Sequence, residues 1–345
     1  MSPLILLIMV LTLGLGTTIT LISSHWLLAW MGLEINTLAI IPLMIKQHHP
    51  RAVEATTKYF LIQAAAAATL MFASTMNAWL TGVWEISQTI HPLPLTMITM
   101  ALSLKMGMAP MHSWLPDIMQ GLDLKVGLIL ATWQKLAPFS LLIQVNSSNL
   151  MILLGILSVI LGGWGGLNQT QLRKVLAYSS IAHLGWMFLV MQLFPPLSLM
   201  ALLIYIIMTF SLFNTFMLNK ATNINSLSIS RMKTPILTAL TPLVLLSLGG
   251  LPPLTGFLPK WMILQELTKQ NFNVMATTAA LSALLSLYFY LRLSYSMALT
   301  IAPNTSTNTL SWRMMNKSTH LPTATSITMT LMMLPLLPLL MAFTL

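Results

Sequence analysis

Residues 102–119 read LSLKMGMAPMHSWLPDIM, and residues 246–262 read LSLGGLPPLTGFLPKWM. With one residue of slippage, Pro110 matches Pro253, Trp114 matches Phe257, Leu115–Pro116 match Leu258–Pro259, and Met119 matches Met262. Each stretch lies in an apolar run, roughly 92–120 and 235–268, that is too long for one straight membrane helix. Proline removes a backbone donor and frees a carbonyl one turn back. In lipid such groups need partners, so a broken helix is tolerated only where it is buried in protein or lines a cavity. The two stretches stand an odd number of spans apart and therefore run antiparallel, the pattern of an inverted-topology repeat whose interrupted helices mark a transport site. Two unrelated proline kinks are the alternative; the matches beyond the prolines favour the repeat.

The composition carries the same message. The chain has 345 residues, of which 6% are charged and 56% apolar, where a soluble domain devotes about a quarter to charge. Mean hydropathy is +0.82. So little charge cannot clothe a water-facing surface, and the chain reads as a polytopic membrane protein. With no cysteine, disulfide frameworks, thiolate metal sites, iron–sulfur ligation and cysteine nucleophiles are excluded. The net charge of +10 is thinly spread and reads as loop charge on one side of a bilayer, not as a nucleic-acid surface. No Lys or Arg precedes Lys46, so the N-terminus resembles neither a secretory signal nor a transit peptide. Its first segment is expected to stay as a transmembrane helix. The 28 methionines are flexible apolar filling.

A hydrocarbon core of about 30 Å takes roughly 20 helical residues. Cutting at polar and Pro/Gly breaks predicts an all-α, polytopic membrane helical bundle of about eleven transmembrane helices: 3–22, 26–45, 53–80, 92–120, 124–145, 149–167, 172–192, 196–219, 235–268, 273–300 and 323–343. The whole of 1–345 is read as one transmembrane domain. Its first repeat covers roughly 53–167 and its second roughly 172–300, with 3–45 and 323–343 peripheral. This count puts Lys46, Arg51, Lys125, Arg173, Lys174, Lys220, Arg231, Lys233, Arg313 and Lys317 on the N-terminal side and only Lys269 on the other. An extra or missing helix would scramble that asymmetry. By the positive-inside rule the N-terminus faces the cytoplasm or matrix and the C-terminus the opposite side. Trp26, Trp79, Trp84 and Trp164 fall near span ends, as an aromatic belt would.

Four charges lie deep within spans: Glu34, Lys105, Lys135 and Lys260. Each costs about 2.5–3.5 kcal/mol to insert, an outlay that a purely structural bundle has little reason to carry. Lys105 precedes the first break, near a half-helix C-terminus whose dipole favours its charge; Lys260 follows the second, where the dipole opposes it. Singly, each is as well explained by snorkelling or a satisfied pair. Together they point to a proton path. His112, inside the first break, and His183, in YSSIAHLG, are candidate relays, although a buried histidine bonded to a neighbouring helix explains either equally. Glu54 and Lys58, at i,i+4, read as an interfacial ion pair, Arg292 as an anchor on the basic side, and Asp117 and Asp123 as interfacial. GGWGG at 162–166 reads as close helix packing. No metal-ligand spacing, phosphate loop or dinucleotide fingerprint occurs, so no cofactor or metal is expected on this chain.

The blocks WMGLEINTLAIIPLM (30–44), LKMGMAPMHSWLPD (104–117), TWQKLAPFS (132–140), GGLNQTQLRKVLAYSSIAHLGW (165–186) and SLGGLPPLTGFLPKW (247–261) together resemble the antiporter-like subunits of respiratory complex I, NADH:ubiquinone oxidoreductase, over essentially the whole chain. The resemblance implies a proton-translocating subunit of the mitochondrial inner membrane, N-terminus in the matrix and C-terminus toward the intermembrane space. Its partners would be other membrane-arm and accessory subunits and lipids, with no nucleic acid. NADH, FMN, iron–sulfur clusters and ubiquinone would be handled by other subunits. Glu34 and Lys105 would form a coupled acidic–basic pair, Lys135 the central relay, and Lys260 the lysine of the second broken helix. Two departures are visible. Bacterial relatives carry three further N-terminal helices, which leaves a flank for other subunits to cover. Several related subunits hold glutamate at the position of Lys260. A subunit of a cation/proton antiporter is the competing reading, and a structural subunit with a vestigial polar axis a third.

Overall fold

Helices α1 (Pro3–Ile22), α2 (Trp26–Met44) and α3 (Pro50–Thr81) begin the chain, and two of their three starts are capped by histidine. His25 Nδ1 accepts from the Leu27 amide at 3.1 Å, and His49 Nδ1 accepts from the Arg51 amide at 3.2 Å, satisfying first-turn donors that have no intrahelical acceptor. Pro50 then occupies the first turn of α3, where its missing N–H costs nothing. The helix ends at Gly82, which adopts the left-handed conformation (φ 73°). At 32 residues and about 1.5 Å per residue, α3 overreaches a hydrocarbon core. Turns at its ends must therefore extend beyond that core.

The computed structural model describes residues 3–45, 49–89, 91–145, 149–232, 234–299, 321–336, 338 and 342. Lys46, Lys233, Arg313 and Lys317, four of the cations read as basic-side, and residues 337, 339–341 and 343 of the last predicted span lie outside the described residues. Every regular element among those residues is helical, the only extended pairings being the isolated bridges His25–Glu85 and Gln171–Asn223. After α3 come α4 (Pro92–Met106), α5 (Trp114–Gly121), α6 (Leu124–Ala131), α7 (Trp133–Gln144), α8 (Leu150–Gly166), α9 (Leu172–Met191) and α10 (Pro195–Asn219). There follow the short α11 (Ile224–Ile229), α12 (Pro235–Gly249), α13 (Phe257–Lys269), α14 (Asn273–Ala298) and α15 (Leu321–Met332). Seven helical stretches are long and apolar enough to cross a membrane: α1, α2, α3, the run 124–144, α9, α10 and α14. The chain divides into two compact units, 1–158 and 159–345.

Within the first unit α1 lies along α2 and α3 along α4. In the second, α12 packs on α14, and α10 packs on α9 and α15. Hydroxyls in the helices return to carbonyls three or four residues back, as Thr20, Ser103, Ser179 and Ser247 do. These buried hydroxyls are thus satisfied within their own helix, whereas Thr255, in the second break, donates to the Thr330 carbonyl at 2.7 Å. The GGWGG stretch serves close packing: a Cβ on Gly162 would meet the Ala182 backbone and one on Gly166 the Phe289 ring.

The predicted spans meet the helices with four differences. The run 124–145 is interrupted at Thr132, dividing α6 from α7. Thr132 Oγ1 donates to the Leu128 carbonyl at 2.8 Å, a bond that bends helices. Pro138 also removes the amide that would have closed on Gln134. The basic-side loop after α10 contains α11, held by a reciprocal capping box between Asn223 and Ser226. The predicted last span is α-helical over Leu321–Met332 and passes into a 3₁₀ turn at Leu334–Leu336, with 337, 339–341 and 343 outside the described residues. Finally, Trp79 and Trp164 are exposed as an aromatic belt requires, but Trp26 is fully buried, its amide bonded to the Trp84 carbonyl at 3.1 Å.

Candidate functional site

Both long runs break, and in the same way. Each begins with a 15-residue half-helix, α4 or α12. Each then has seven non-helical residues, 107–113 or 250–256, before the second half-helix. A constant offset of 143 residues superimposes all of these boundaries, so the slippage read from the sequence is absent. Lys105 is equivalent to Leu248, and Asp117 to Lys260.

Gly107 (φ 79°) and Gly250 (φ 84°) terminate the first halves in the left-handed conformation, which glycine adopts without steric cost. The following amides close Schellman motifs: Met108 N–H to Ser103 at 3.0 Å and Gly107 N–H to Leu104 at 3.1 Å, then Leu251 N–H to Leu246 at 3.4 Å and Gly250 N–H to Ser247 at 3.0 Å. That leaves the last carbonyls of each half-helix in need of donors. In the first break Gln63 Nε2 donates to the Lys105 carbonyl at 3.4 Å. In the second, Lys260 Nζ reaches back from α13 and donates to Leu248 at 3.2 Å and Gly249 at 2.9 Å. Lys260 was expected to suffer from the start of its own half-helix. Its ammonium instead sits on the negative end of α12, where a dipole favours a cation. At the end of α4 in the first unit the donor is instead Gln63, while Lys105 itself stands in the last turn of that half-helix.

This geometry makes Lys260→Glu worse than Lys260→Met. The carboxylate would face two carbonyl oxygens, whereas Met leaves them merely unpaired, at about 1–3 kcal/mol. We expect Lys260→Glu to accumulate poorly in the membrane and Lys260→Met to accumulate close to normally; quantifying each variant in isolated membranes checks the order.

In the first unit Lys105 and Lys135 line one buried chamber of about 20 Å³, enough for a single water. Asn36, Gln63, Gln134 and Tyr59 share its walls. Lys105 is 8% exposed and Lys135 4%. No hydrogen-bond partner reaches Lys105 Nζ, nor the side-chain oxygen or nitrogen of Asn36. Gln134 Nε2 donates to the Asn36 carbonyl at 3.3 Å, tying α7 to α2. The Thr132 interruption lies three residues before Lys135.

Glu34 stands beside this chamber, half-buried on α2. Its Oε2 accepts from Thr37 Oγ1 at 3.2 Å, and Thr37 is itself a chamber wall. The field of Glu34 acts on Lys105 and on Tyr59. The acidic and basic partners are thus neighbours without a direct bond.

The candidate relays are elsewhere. His112 is part-buried in the first break, its Nδ1 3.2 Å from the Pro110 carbonyl, and is not among the chamber-lining residues. His183, in the second unit, lies against Tyr205 with ring centroids 5.6 Å apart. Arg292 donates to the Leu167 carbonyl at 2.7 Å, and Lys58 pairs with Glu54 at 2.6 Å, the i,i+4 ion pair expected. Among the described residues no group of three or more His, Asp or Glu side chains could hold a metal ion. The sequence reading passed over Asn36, Gln63 and Gln134. Amides at mid-span in otherwise apolar helices were the available signal, and Gln134 adjoins Lys135.

The family described as "NADH:quinone oxidoreductase/Mrp antiporter, TM" matches residues 23–286, and "NADH dehydrogenase subunit 2 C-terminus" matches 287–341. The NADH-ubiquinone oxidoreductase chain 2 of Tetraodon nigroviridis is 66% identical over 98% of both chains. That of Gadus morhua is 64% identical over the same shares. Among solved structures, a chain of respiratory complex I from Thermus thermophilus is similar with a TM-score of 0.84 and 28% identity, over 97% of this chain and 78% of that one. A chain of the Mrp complex from Dietzia sp. DQ12-45-1b has a TM-score of 0.79 at 15% identity, over 97% and 76%, a likeness of fold alone.

Proposed function

This chain belongs to the NADH:quinone oxidoreductase/Mrp antiporter membrane family, and on that premise we propose that its Glu34–Lys105–Lys135 cluster and Lys260 carry protons. The chain is a membrane subunit of NADH:ubiquinone oxidoreductase, an antiporter-like proton-translocating module working with the other subunits of that complex. It supplies the proton path; electron transfer through FMN and iron–sulfur clusters to ubiquinone belongs to other subunits. Our reading places it in the mitochondrial inner membrane with eleven crossings, the N-terminus in the matrix and the C-terminus toward the intermembrane space. Each broken helix then belongs to one of two inverted repeats, roughly 53–167 and 172–300. Helices 3–45 and 323–343 are peripheral, facing lipid, membrane-arm and accessory subunits.

The observation that carries this proposal is the chamber shared by Lys105 and Lys135 beside Glu34. Two ammonium groups in one small, poorly solvated space disfavour each other's charge, and a nearby carboxylate offsets that for whichever lies closer. A shift of Glu34 toward Lys105, driven by quinone reduction elsewhere in the complex, stabilises the Lys105 proton. Its return releases that proton toward Lys135. Moving one charge through 100 mV costs about 2.3 kcal/mol, while one unit of proton affinity is worth about 1.4 kcal/mol. A swing of about two units suffices, within reach of small side-chain movements.

The test is Lys135→Ala in the purified complex reconstituted into liposomes. We expect a lower proton-to-electron ratio, coupled turnover reduced by about 100-fold as for loss of a positioned proton carrier, and normal flavin-site NADH oxidation with an artificial acceptor. Unchanged coupled turnover and stoichiometry would remove Lys135 from the path.

A further inference from the structure

A second polar recess, of about 290 Å³, opens in the first unit where the beginning of α3 meets the end of α5. Arg51, Glu54 and Lys58 from the first turns of α3 face Asp117 and Gln120 of α5 across it. By the crossing order these are the basic-side ends of both helices. Glu54 and Lys58 are bonded to each other, while the charge of Asp117 acts on Lys58 and that of Arg51 on Glu54. Asp117 is exposed, so it meets water directly.

The recess and the lysine chamber lie back to back. One turn deeper on α3, Ala55 of the recess wall is followed by Tyr59, and one turn deeper on α5, Asp117 is preceded by Trp114. Tyr59 and Trp114 are both walls of the Lys105–Lys135 chamber. Their rings meet edge to face with centroids 6.1 Å apart, and they are 2% and 6% exposed. Trp114 Nε1 is buried without a hydrogen-bond partner, so a polar group stands ready inside this partition. The repeat register adds an independent pointer. Asp117 holds the position in α5 that Lys260 holds in α13, the one place in the second half-helices where both repeats carry a charge.

We propose that Asp117 is the proton-loading carboxylate of the Lys105 site, collecting protons from basic-side water in this recess and passing them through the Tyr59–Trp114 partition. In the transfer step the Asp117 carboxylic acid loses a proton, through water, to the neutral Lys105 amine. The resulting carboxylate is reprotonated from the aqueous side. The partition separates chamber from water except during that step, which keeps a proton already on Lys105 from running back. This inference rests on the proton-carrying role of the lysines.

Three variants of the assembled complex test it. Asp117→Asn, nearly isosteric, is expected to assemble normally and to slow coupled NADH oxidation about tenfold, less than the ~100-fold of a sole proton donor because Glu54 shares the recess. Asp117→Glu, which keeps the carboxyl, is expected to retain more than half the rate. The chain contains no cysteine, so label on this chain in the Asp117→Cys complex reports position 117 alone. A membrane-impermeant maleimide is expected to react there from the basic side only. Wild-type turnover in Asp117→Asn, equal slowing in Asp117→Glu, or labelling from the opposite side or from neither would each overturn the proposal. If Lys135→Ala also left coupling intact, the proton-path reading would fall with it. Impaired Lys135→Ala beside normal Asp117→Asn would sink the recess alone.

Discussion

Replacing Lys105 with methionine is expected to produce a complex that is more heat-stable than the natural one and no longer couples. Lys105 is 8% exposed, and its Nζ has no hydrogen-bond partner. A buried donor left unpaired costs about 1–3 kcal/mol, and a lysine at mid-membrane about 2.5–3.5 kcal/mol on insertion. Methionine has nearly the same length and no charge, so it fills the space while removing both penalties. Such exchanges of buried charge for packed apolar groups are often neutral or stabilising. Function moves the opposite way, because no group then holds a proton between the recess and Lys135. Coupled turnover should fall by about 100-fold or more. Thermal unfolding of the detergent-solubilised complex and proton transfer in liposomes measure the two effects separately. A loss of stability along with activity would show that Lys105 anchors α4 structurally, and the role assigned to it would be withdrawn.

The second large effect is expected at Gly256, the last residue of the second break. Its backbone lies in the ordinary helical region (φ −71°, ψ −12°), so conformational freedom is not the reason glycine stands there. A Cβ would collide with the Ser247 carbonyl oxygen and approach Met208 Sδ at 3.3 Å. Overpacking costs about 1–3 kcal/mol where side chains can yield, and a backbone carbonyl in the last turn of α12 cannot step aside as a side chain does. Gly256→Ala must therefore push α13 away from the end of α12. That displacement strips the Leu248 and Gly249 carbonyls of the Lys260 ammonium now 3.2 and 2.9 Å away. The expected result is a sharp fall in assembled subunit, with the remaining complex uncoupled. Normal assembly of Gly256→Ala would mean that the two half-helices slide freely past each other.

These predictions depend unequally on sequence and structure. The broken helices were legible because proline and glycine punctuate them, and the four deep charges because charge is so scarce here. The repeat was legible too, although its register was not. Matching the LSL letters introduced a slip, whereas the hydrogen-bonded ends align Gly107 with Gly250 directly. Only that register makes Asp117 the counterpart of Lys260. The interruption at Thr132 was hidden because neither threonine nor a proline six residues on ends a helix by itself. The burial of Trp26 was hidden for a related reason, since a span-end tryptophan is written the same way whether it meets lipid or a neighbouring helix.

By itself, then, the sequence determined that this chain is helical, that it crosses the membrane many times, and where two of its helices must stop and restart. Those features follow from a local rule: in hydrocarbon each backbone group must be satisfied within its own segment or beside a cavity. Which groups the deep charges meet was decided by the tertiary structure. Each residue turns a side chain by about 100° around a helix with 3.6 residues per turn, so small rotations and a single break select which polar groups meet. In this way Lys105 and Lys135 come to share a chamber with Asn36 and Thr37, with Glu34 beside it. By the same means Lys260 reaches back across its break to the carbonyl end of α12.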